Sequence, residues 1–401
     1  MYTLKRDSYL NKIKPLIDKD IIKVLTGIRR CGKSVMLKLI MEELENKGIL
    51  KSNIIYLNFD SSKFQNIKTN EELNNYITKI LENKKNKVYL FFDEIQNVDG
   101  WERSINGFML DFKCDIYITG SNSKLLSGEL STYLTGRYIE IPIYPFSFKE
   151  ISQYYQENNK KKSNWEIFNE YIAYGGLPIL LTLDEDNKLM YLEDLYNAIL
   201  LKDVVTKYNV KNPKVLNNLM HYISLNIGHT FSGYSISKYF KNQGINVSPN
   251  TLYNYLSYCE NACLIHKVKR EDLVSKKVLK SKEKYYLTDH GFRQALCLCN
   301  NRDLSQVFEN IVYNEMLRLG YKVTIGEIKN KEIDLICKKH DQKVYIQVTY
   351  LLDSKKTKER EFGELLKIND NFPKIVISAD QFDFSQDGIK HYNIIDFLKE
   401  Y

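Results

Sequence analysis

Gly27-Ile28-Arg29-Arg30-Cys31-Gly32-Lys33-Ser34 reads G-x-x-x-x-G-K-S, with Val35 opening an amphipathic stretch behind it. The glycines let backbone N–H groups close on phosphate oxygens, and a helix beginning there adds the positive end of its dipole. Lys33 offers a point charge to β- and γ-phosphates, and Ser34 offers a hydroxyl to magnesium. Farther on, the apolar run 88–92 ends in Asp93-Glu94. Asp93 is suited to hold the magnesium, and Glu94 to orient or deprotonate an attacking water. Ser121 and Asn122 follow another strand-like run; Asn122 or Ser121 bonds the phosphate or the water, or these residues cap a helix. Arg137 reads either as an arginine finger for the transition state or as a surface arginine. The set implies ATP with Mg²⁺ as the bound cofactors.

These groups must be brought together by the elements between them. Strand-like runs cover 21–26, 54–59, 88–92, 115–119 and 138–143. Helical spacing appears after Ser34, where Val35, Met36, Leu39, Ile40 and Leu44 recur up to Gly48, and again around 71–82, 101–111 and 125–133. Near-continuous apolar strands alternating with helices predict an α/β domain over 1–147, with a parallel sheet covered on both faces. Ligands of such sheets bind at the carboxyl ends of the strands, where the glycine-rich loop falls.

The 401 residues call for more than one domain, and 43% hydrophobic with 27% charged residues is a globular composition. No apolar run is long enough for a membrane span, and residues 1–7 lack a signal-peptide core, so a cytoplasmic location is expected. Seven cysteines without a disulfide-like spacing suit reduced thiols. Cys259, Cys263 and His266, with Cys297 and Cys299 beyond, form the nearest approach to a metal site, but they sit among apolar residues and read as core. The net charge is +8, and residues 205–293 carry 14 Lys/Arg against 5 Asp/Glu, a local balance of +9. That balance is the footprint of a nucleic-acid contact, or else a solvated basic face.

Residues 148–207 read as a helical lid or linker broken at Tyr174-Gly175-Gly176-Leu177-Pro178. Over 208–293 three helices and a β-ribbon are predicted, with helices at 232–242 and 249–261 and strands at 264–270 and 284–287 around a lysine-rich tip, 276–282. This is a winged helix-turn-helix pattern, in which Thr251, Tyr253, Asn254 and Ser257 would lie on or near the helix that enters a DNA major groove. Such a fold also serves as a protein-binding module.

Phe92-Asp93-Glu94-Ile95-Gln96, Ile118-Thr119-Gly120-Ser121-Asn122-Ser123 and Leu134-Thr135-Gly136-Arg137-Tyr138, taken with the glycine-rich loop, resemble one family. It is the prokaryotic AAA-superfamily ATPases with a C-terminal domain of unknown function and restriction-endonuclease-like fold. Tyr174–Pro178 and Leu201-Lys202-Asp203-Val204-Val205 look like its linking region. The resemblance implies an ATPase core, a helical linker, a winged helix and a nuclease-like domain over 294–401. There Glu309 and Asp334 match metal-binding acids, Gln347 stands where a second strand carboxylate is expected, and Thr349 stands where the lysine should be. Two of four roles are thus altered, with Lys331 or Lys343 as candidates for a migrated lysine. A degenerate domain that binds DNA or acts as a scaffold follows more directly than cleavage. The leading expectation is an ATP-driven switch or motor on nucleic acid; the alternatives are an ATP-regulated nuclease and a signalling scaffold. The first allows a homo-oligomer, in which Arg137 could act on a neighbour's ATP.

Overall fold

The computed structural model describes residues 4–82, 84–122, 134, 136–159, 161–275, 277–297, 304–329 and 331–401, with the side chains of 277–282 excepted. The chain forms two compact units, one of residues 1–145 with 261–263, the other of 146–260 and 264–401.

The first unit opens with α1 (Asp7–Ile13) and β1 (Ile22–Thr26), then α2 (Lys33–Asn46), β2 (Ile54–Asn58), α3 (Asn70–Leu81), β3 (Val88–Asp93), α4 (Trp101–Asp111), β4 (Cys114–Gly120) and β5 (Tyr138–Pro142). The strands form one sheet in the order β2-β3-β4-β1-β5, and every neighbouring pair is parallel. All residues of β1 and β3 are buried, as a sheet covered on both faces requires. Phe92, Leu90 and Ile118 pack with Trp101 and Ile105 of α4 and Leu73 and Ile77 of α3. α3 begins at a capping box, Thr69 with Glu72, which satisfies two backbone donors the first turn would leave open. α2 buries Met36, Leu37, Leu39, Ile40 and Leu44 and stops before Gly48, whose φ of +86° turns the chain away. The helix expected over 125–133 lies outside the described residues.

The second unit begins with helices α5 (Phe148–Glu157), α6 (Asn164–Tyr174) and α7 (Glu185–Ile199), the last widening into a π-helical stretch, Leu200–Thr206. Next come α8 (Pro213–Leu225), α9 (Gly233–Asn242), α10 (Pro249–Asn261), β6 (Ile265–Asp272) and β7 (Lys277–Leu287). The chain ends with α11 (Gly291–Cys297), α12 (Leu304–Arg318), β8 (Lys322–Ile328), β9 (Lys331–Lys339), β10 (Gln342–Val348), α13 (Lys355–Leu366), β11 (Lys374–Ser378), β12 (Lys390–Asn393) and α14 (Ile394–Glu400).

Two features depart from the sequence reading. The lysine-rich stretch from 277 on is part of a strand and not a hairpin tip: Lys277, Val278 and Leu279 pair with Asp272, Glu271 and Arg270, while Lys276 lies outside the described residues. Nor does the ribbon stand apart from the last segment. β6 pairs in parallel with β8, giving one seven-stranded sheet, β12-β11-β10-β9-β8-β6-β7, that spans the expected boundary at 293. Backbone donors along the outer edge of β6 are satisfied by β8, a pairing no local pattern encodes.

The glycine pair at the helical break has a packing reason. Asp289 accepts hydrogen bonds from Gly176 N (2.9 Å) and Gly291 N (2.8 Å). A Cβ on Gly175, which has φ +77°, would sit 1.7 Å from Asp289 Oδ1. Among the described residues, no helix is long and apolar enough to cross a membrane.

Candidate active site

The parallel register sets the ends of three strands side by side. Thr26 lies opposite Gly120 and Asn58 opposite Asp93, so the loop after β1 and the ends of β3 and β4 share the carboxyl edge of the sheet. β4 lies between β1 and β3, which brings Ser121 and Asn122, both buried, to this edge. Gly27 has φ +146°, and a Cβ there would lie 2.2 Å from Ile143 O. Gly32, with φ +107°, is the N-cap of α2. The two glycines thus meet different demands: close approach of a neighbouring strand end, and a left-handed turn into the helix.

Lys33 Nζ is buried; it donates to Gly27 O (2.9 Å) and Ile28 O (3.2 Å) and stands 3.7 Å from Glu94 Oε1. Ser34, one residue into α2, is half-buried, and Val35 is exposed. Arg29 is half-buried and Arg30 exposed, the latter in the left-handed region at φ +66°. Cys31 is buried beneath the loop, with its Sγ 3.0 Å from the position of a Cβ on Gly27. Burial pushes its thiol up, so it fills space and is not poised for oxidation.

Asp93 is fully buried, yet its carboxylate is well supplied with donors. Thr119 Oγ1 donates to Oδ1 (2.6 Å), while Tyr56 OH (2.7 Å) and Asn58 Nδ2 (3.3 Å) donate to Oδ2. The same Thr119 oxygen accepts from Glu94 N (2.9 Å), so one side chain on β4 fixes both acids at the end of β3. Glu94 itself is left-handed, φ +54°, a conformation costing a non-glycine residue on the order of 1 kcal/mol and typical of functional turns. Burial alone would raise the Glu94 carboxyl. Lys33, a hydrogen bond from Gln96, Arg29 and Ser121 outweigh it and hold the group below its ordinary value, hence ionised.

The structure moves Arg137 away from this edge. Arg137 O accepts from Ile22 N, and Ile22 pairs with Tyr138, which fixes the residue at the amino end of β5. A strand of this length spans about 15 Å. The Arg137 guanidinium instead bonds Asn106 Oδ1 (2.6 Å) on α4, so within one chain it does not reach the phosphate loop. Sequence reasoning also passed over Thr119, Tyr56 and Arg6. Arg6 is buried against the loop and donates to Tyr144 O (3.0 Å) and Cys31 O (3.4 Å). An arginine outside any motif gives no signal, whereas Thr119 was visible as the polar end of an apolar strand.

Of the four residues singled out in the second unit, Glu309, Asp334 and Gln347 come together, each engaged by protein groups. Asp334 on β9 accepts from Val348 N (2.8 Å) and donates its own N–H to Gln347 Oε1 (2.6 Å). The Gln347 amide points at acids on α13, donating to Glu361 (3.0 Å) and Glu364 (3.3 Å). Glu309 on α12 receives Lys284 Nζ (2.7 Å) and Tyr286 OH, both from β7. Thr349 is buried, with its N–H bonded to Ile377 O (3.0 Å). Burial and then Glu309 drive the Asp334 carboxyl well above the carboxylate range, with Lys284 opposing. Among the described residues no group of three or more His, Cys, Asp or Glu is arranged to hold a metal ion. Of the two lysines considered for a migrated role, Lys331 is exposed and acts on Glu364, and Lys343 faces Asp370 at 3.5 Å; the lysine bonded to Glu309 is Lys284. At the other candidate cluster, burial pushes Cys259 up to about 12 and His266 down to about 4, and His266 Nε2 lies 3.1 Å from Thr288 Oγ1.

A parallel sheet with a glycine-rich phosphate loop on β1 and an Asp-Glu pair on β3 defines a P-loop ATPase fold. Residues 19–152 match a family model described as an AAA domain, and 166–304 match a domain of unknown function, DUF8612. An uncharacterized protein of Haemophilus influenzae is 36% identical over 98% of both chains, and uncharacterized protein MJ1544 of Methanocaldococcus jannaschii is 33% identical over 85% of this chain and 77% of its own. The chain belongs to the family of these two proteins, and its first unit is of the AAA superfamily. The solved Walker-type ATPase PABY2304 of Pyrococcus abyssi shares the fold at 16% identity and TM-score 0.52, over 73% of this chain and 96% of its own.

Proposed function

We propose that this chain is a magnesium-dependent ATPase working as a nucleotide-driven switch or motor, with its second half contacting DNA. The observation that carries the hydrolytic reading is the shared edge of Lys33, Glu94 and Asp93, the two acids tied through Thr119. Ser34 and Asp93 are hard oxygen donors of the kind magnesium takes, and bound there the ion would neutralise phosphate charge. Lys33 adds its charge to the β- and γ-phosphates. Glu94, ionised and steered by Gln96 and Ser121, accepts the proton of the attacking water. Asn122 is the group beside the terminal phosphate. Turnover measured with Lys33→Ala and Glu94→Gln tests this; undiminished hydrolysis in both overturns it. A finger role for Arg137 belongs only to an assembly of copies, and solution mass with and without ATP decides whether one forms.

DNA contact rests on the basic segment, but the +9 balance overstates the free charge. Arg270 pairs with Glu327 (2.9 Å), Lys284 with Glu309 (2.7 Å), and Lys267 with Glu283 (2.8 Å). Exposed Lys211, Lys214, Lys238, Lys241 and Lys269 remain as phosphate contacts. One observation favours a protein partner: α10, which holds Thr251, Tyr253, Asn254 and Ser257, has no Lys or Arg, while Tyr234 on α9 is 73% exposed. Duplex affinity that falls steeply with salt supports DNA; salt-insensitive or absent binding supports the protein partner. DNA cleavage is not proposed, because the acids expected to serve it are engaged by Lys284, Tyr286 and backbone groups.

A further inference from the structure

The phosphate loop is backed by residues 143–145, the last of the first unit. Ile143 N donates to Thr26 O (2.7 Å), just before the loop, and Ile143 O stands 2.2 Å from where a Cβ on Gly27 would lie. The far end of the loop is held by Arg6, which is 2% exposed. Its guanidinium donates to Cys31 O (3.4 Å), Tyr144 O (3.0 Å) and Pro145 O (3.5 Å), and its Cζ lies 4.4 Å over the centre of the Tyr9 ring. Tyr9 OH in turn accepts from Tyr144 N (3.1 Å). Both ends of the loop are therefore tied to the same three residues. We infer that Arg6 is a positioning residue for phosphate binding, holding the Cys31–Gly32 peptide with its N–H turned towards the phosphates.

Peptide geometry supplies the reason. In a trans peptide the C=O and the N–H point in opposite directions. With Cys31 O drawn to Arg6, the N–H of the same peptide, on Gly32, is directed away from the arginine. Gly32 is the N-cap of α2, and a Cβ there would lie 3.9 Å from Arg6 Nη1, so the guanidinium stands behind this turn. A carbonyl that accepts from a cation also polarises its own peptide, which strengthens the N–H as a donor to an oxyanion. Glycine accepts either sign of φ, so this peptide is otherwise prone to turn over. Arg6 removes that freedom before nucleotide arrives, and the ordering cost does not fall on binding. The planar fork suits the task, because it reaches carbonyls of both segments in one fixed geometry.

This role rests on the ATPase reading of the first unit. The test is calorimetric titration with MgATP and steady-state turnover of the full chain, unaltered and as Arg6→Met and Arg6→Lys. Each is measured at a temperature where it is folded without nucleotide. Arg6→Met is expected to bind ATP at least about tenfold more weakly, the worth of one N–H bond to an ionised phosphate. Its KM should rise alike while kcat changes by less than about threefold. Arg6→Lys, whose ammonium can still draw one carbonyl, is expected to recover part of the affinity but to stay at least about threefold weaker than the unaltered chain. Unchanged affinity in folded Arg6→Met overturns this role alone, as does a fall in kcat that exceeds the rise in KM. If Arg6→Met does not melt cooperatively, Arg6→Lys takes its place, and unchanged affinity there overturns the role. If neither folds, Arg6 holds the unit together and not the loop, which also overturns it. An unaltered chain that binds no ATP overturns the ATPase reading, and this role with it.

Discussion

In the first unit Lys33 lies 3.7 Å from Glu94 and gives its hydrogen bonds to two loop carbonyls; in the second Lys284 lies 2.7 Å from Glu309 and 2.6 Å from Glu332. Both lysines are buried and both face acids at strand ends or on a helix, yet the local balance differs. Glu94 has cations and donors in excess, and its carboxyl is held below the ordinary value. Asp334 has acids in excess, and its carboxyl is driven up. Net positive surroundings prepare a site for an anionic ligand, whereas a cluster already closed by one lysine is used up in holding strands and helices together. Buried charges alone do not distinguish the two; their surplus does.

The largest effects should come from breaking the first pair. Glu94→Gln removes the base and is expected to lower kcat at least about 1,000-fold while ATP still binds, measured by phosphate release and nucleotide titration. Lys33→Ala should weaken ATP binding itself, so the two variants separate chemistry from binding. Breaking the second pair should leave turnover intact and act on stability. Lys284→Met leaves buried carboxylates uncompensated and is expected to cost about 3 kcal/mol in urea unfolding, with partial recovery when Asp334→Asn is added. Gly27→Ala forces a Cβ into Ile143 O and should cost about 2 kcal/mol together with nucleotide binding, read by thermal melting with and without ATP. Thr119→Val removes the hydroxyl shared by Asp93 and Glu94; a fall in kcat of about tenfold with a stability loss near 1 kcal/mol is expected.

The comparison also fixes opposite signs with pH. Glu94 has a lowered folded pKa, so its contribution to stability is present above the unfolded value and fades as pH falls through the folded one. The Asp334 carboxyl, raised in the fold, favours folding below its unfolded pKa, and that gain is lost as pH rises through the folded value. Asp334→Asn should therefore raise the melting temperature at pH 8 and lose that advantage near pH 4, whereas Glu94→Gln should lower it at pH 7 and become neutral in strong acid. Equal pH profiles for the two variants would break the comparison.

The sequence by itself determined the phosphate loop, the Asp93-Glu94 pair and the alternating elements that carry them. These are local: each depends on residue types a few positions apart and on strand and helix periods. It also marked Glu309, Asp334 and Gln347 as neighbours. The tertiary structure decided what those neighbours mean. Strand order put Thr119 beside Asp93, and register carried Arg137 to the far edge of the sheet from the loop it was expected to serve. Pairing of β6 with β8 brought β7, and with it Lys284, into the acid cluster. None of these follows from local pattern, because which strands pair is set by long-range burial and backbone hydrogen bonding, and a buried lysine looks in sequence like any other in a lysine-rich stretch.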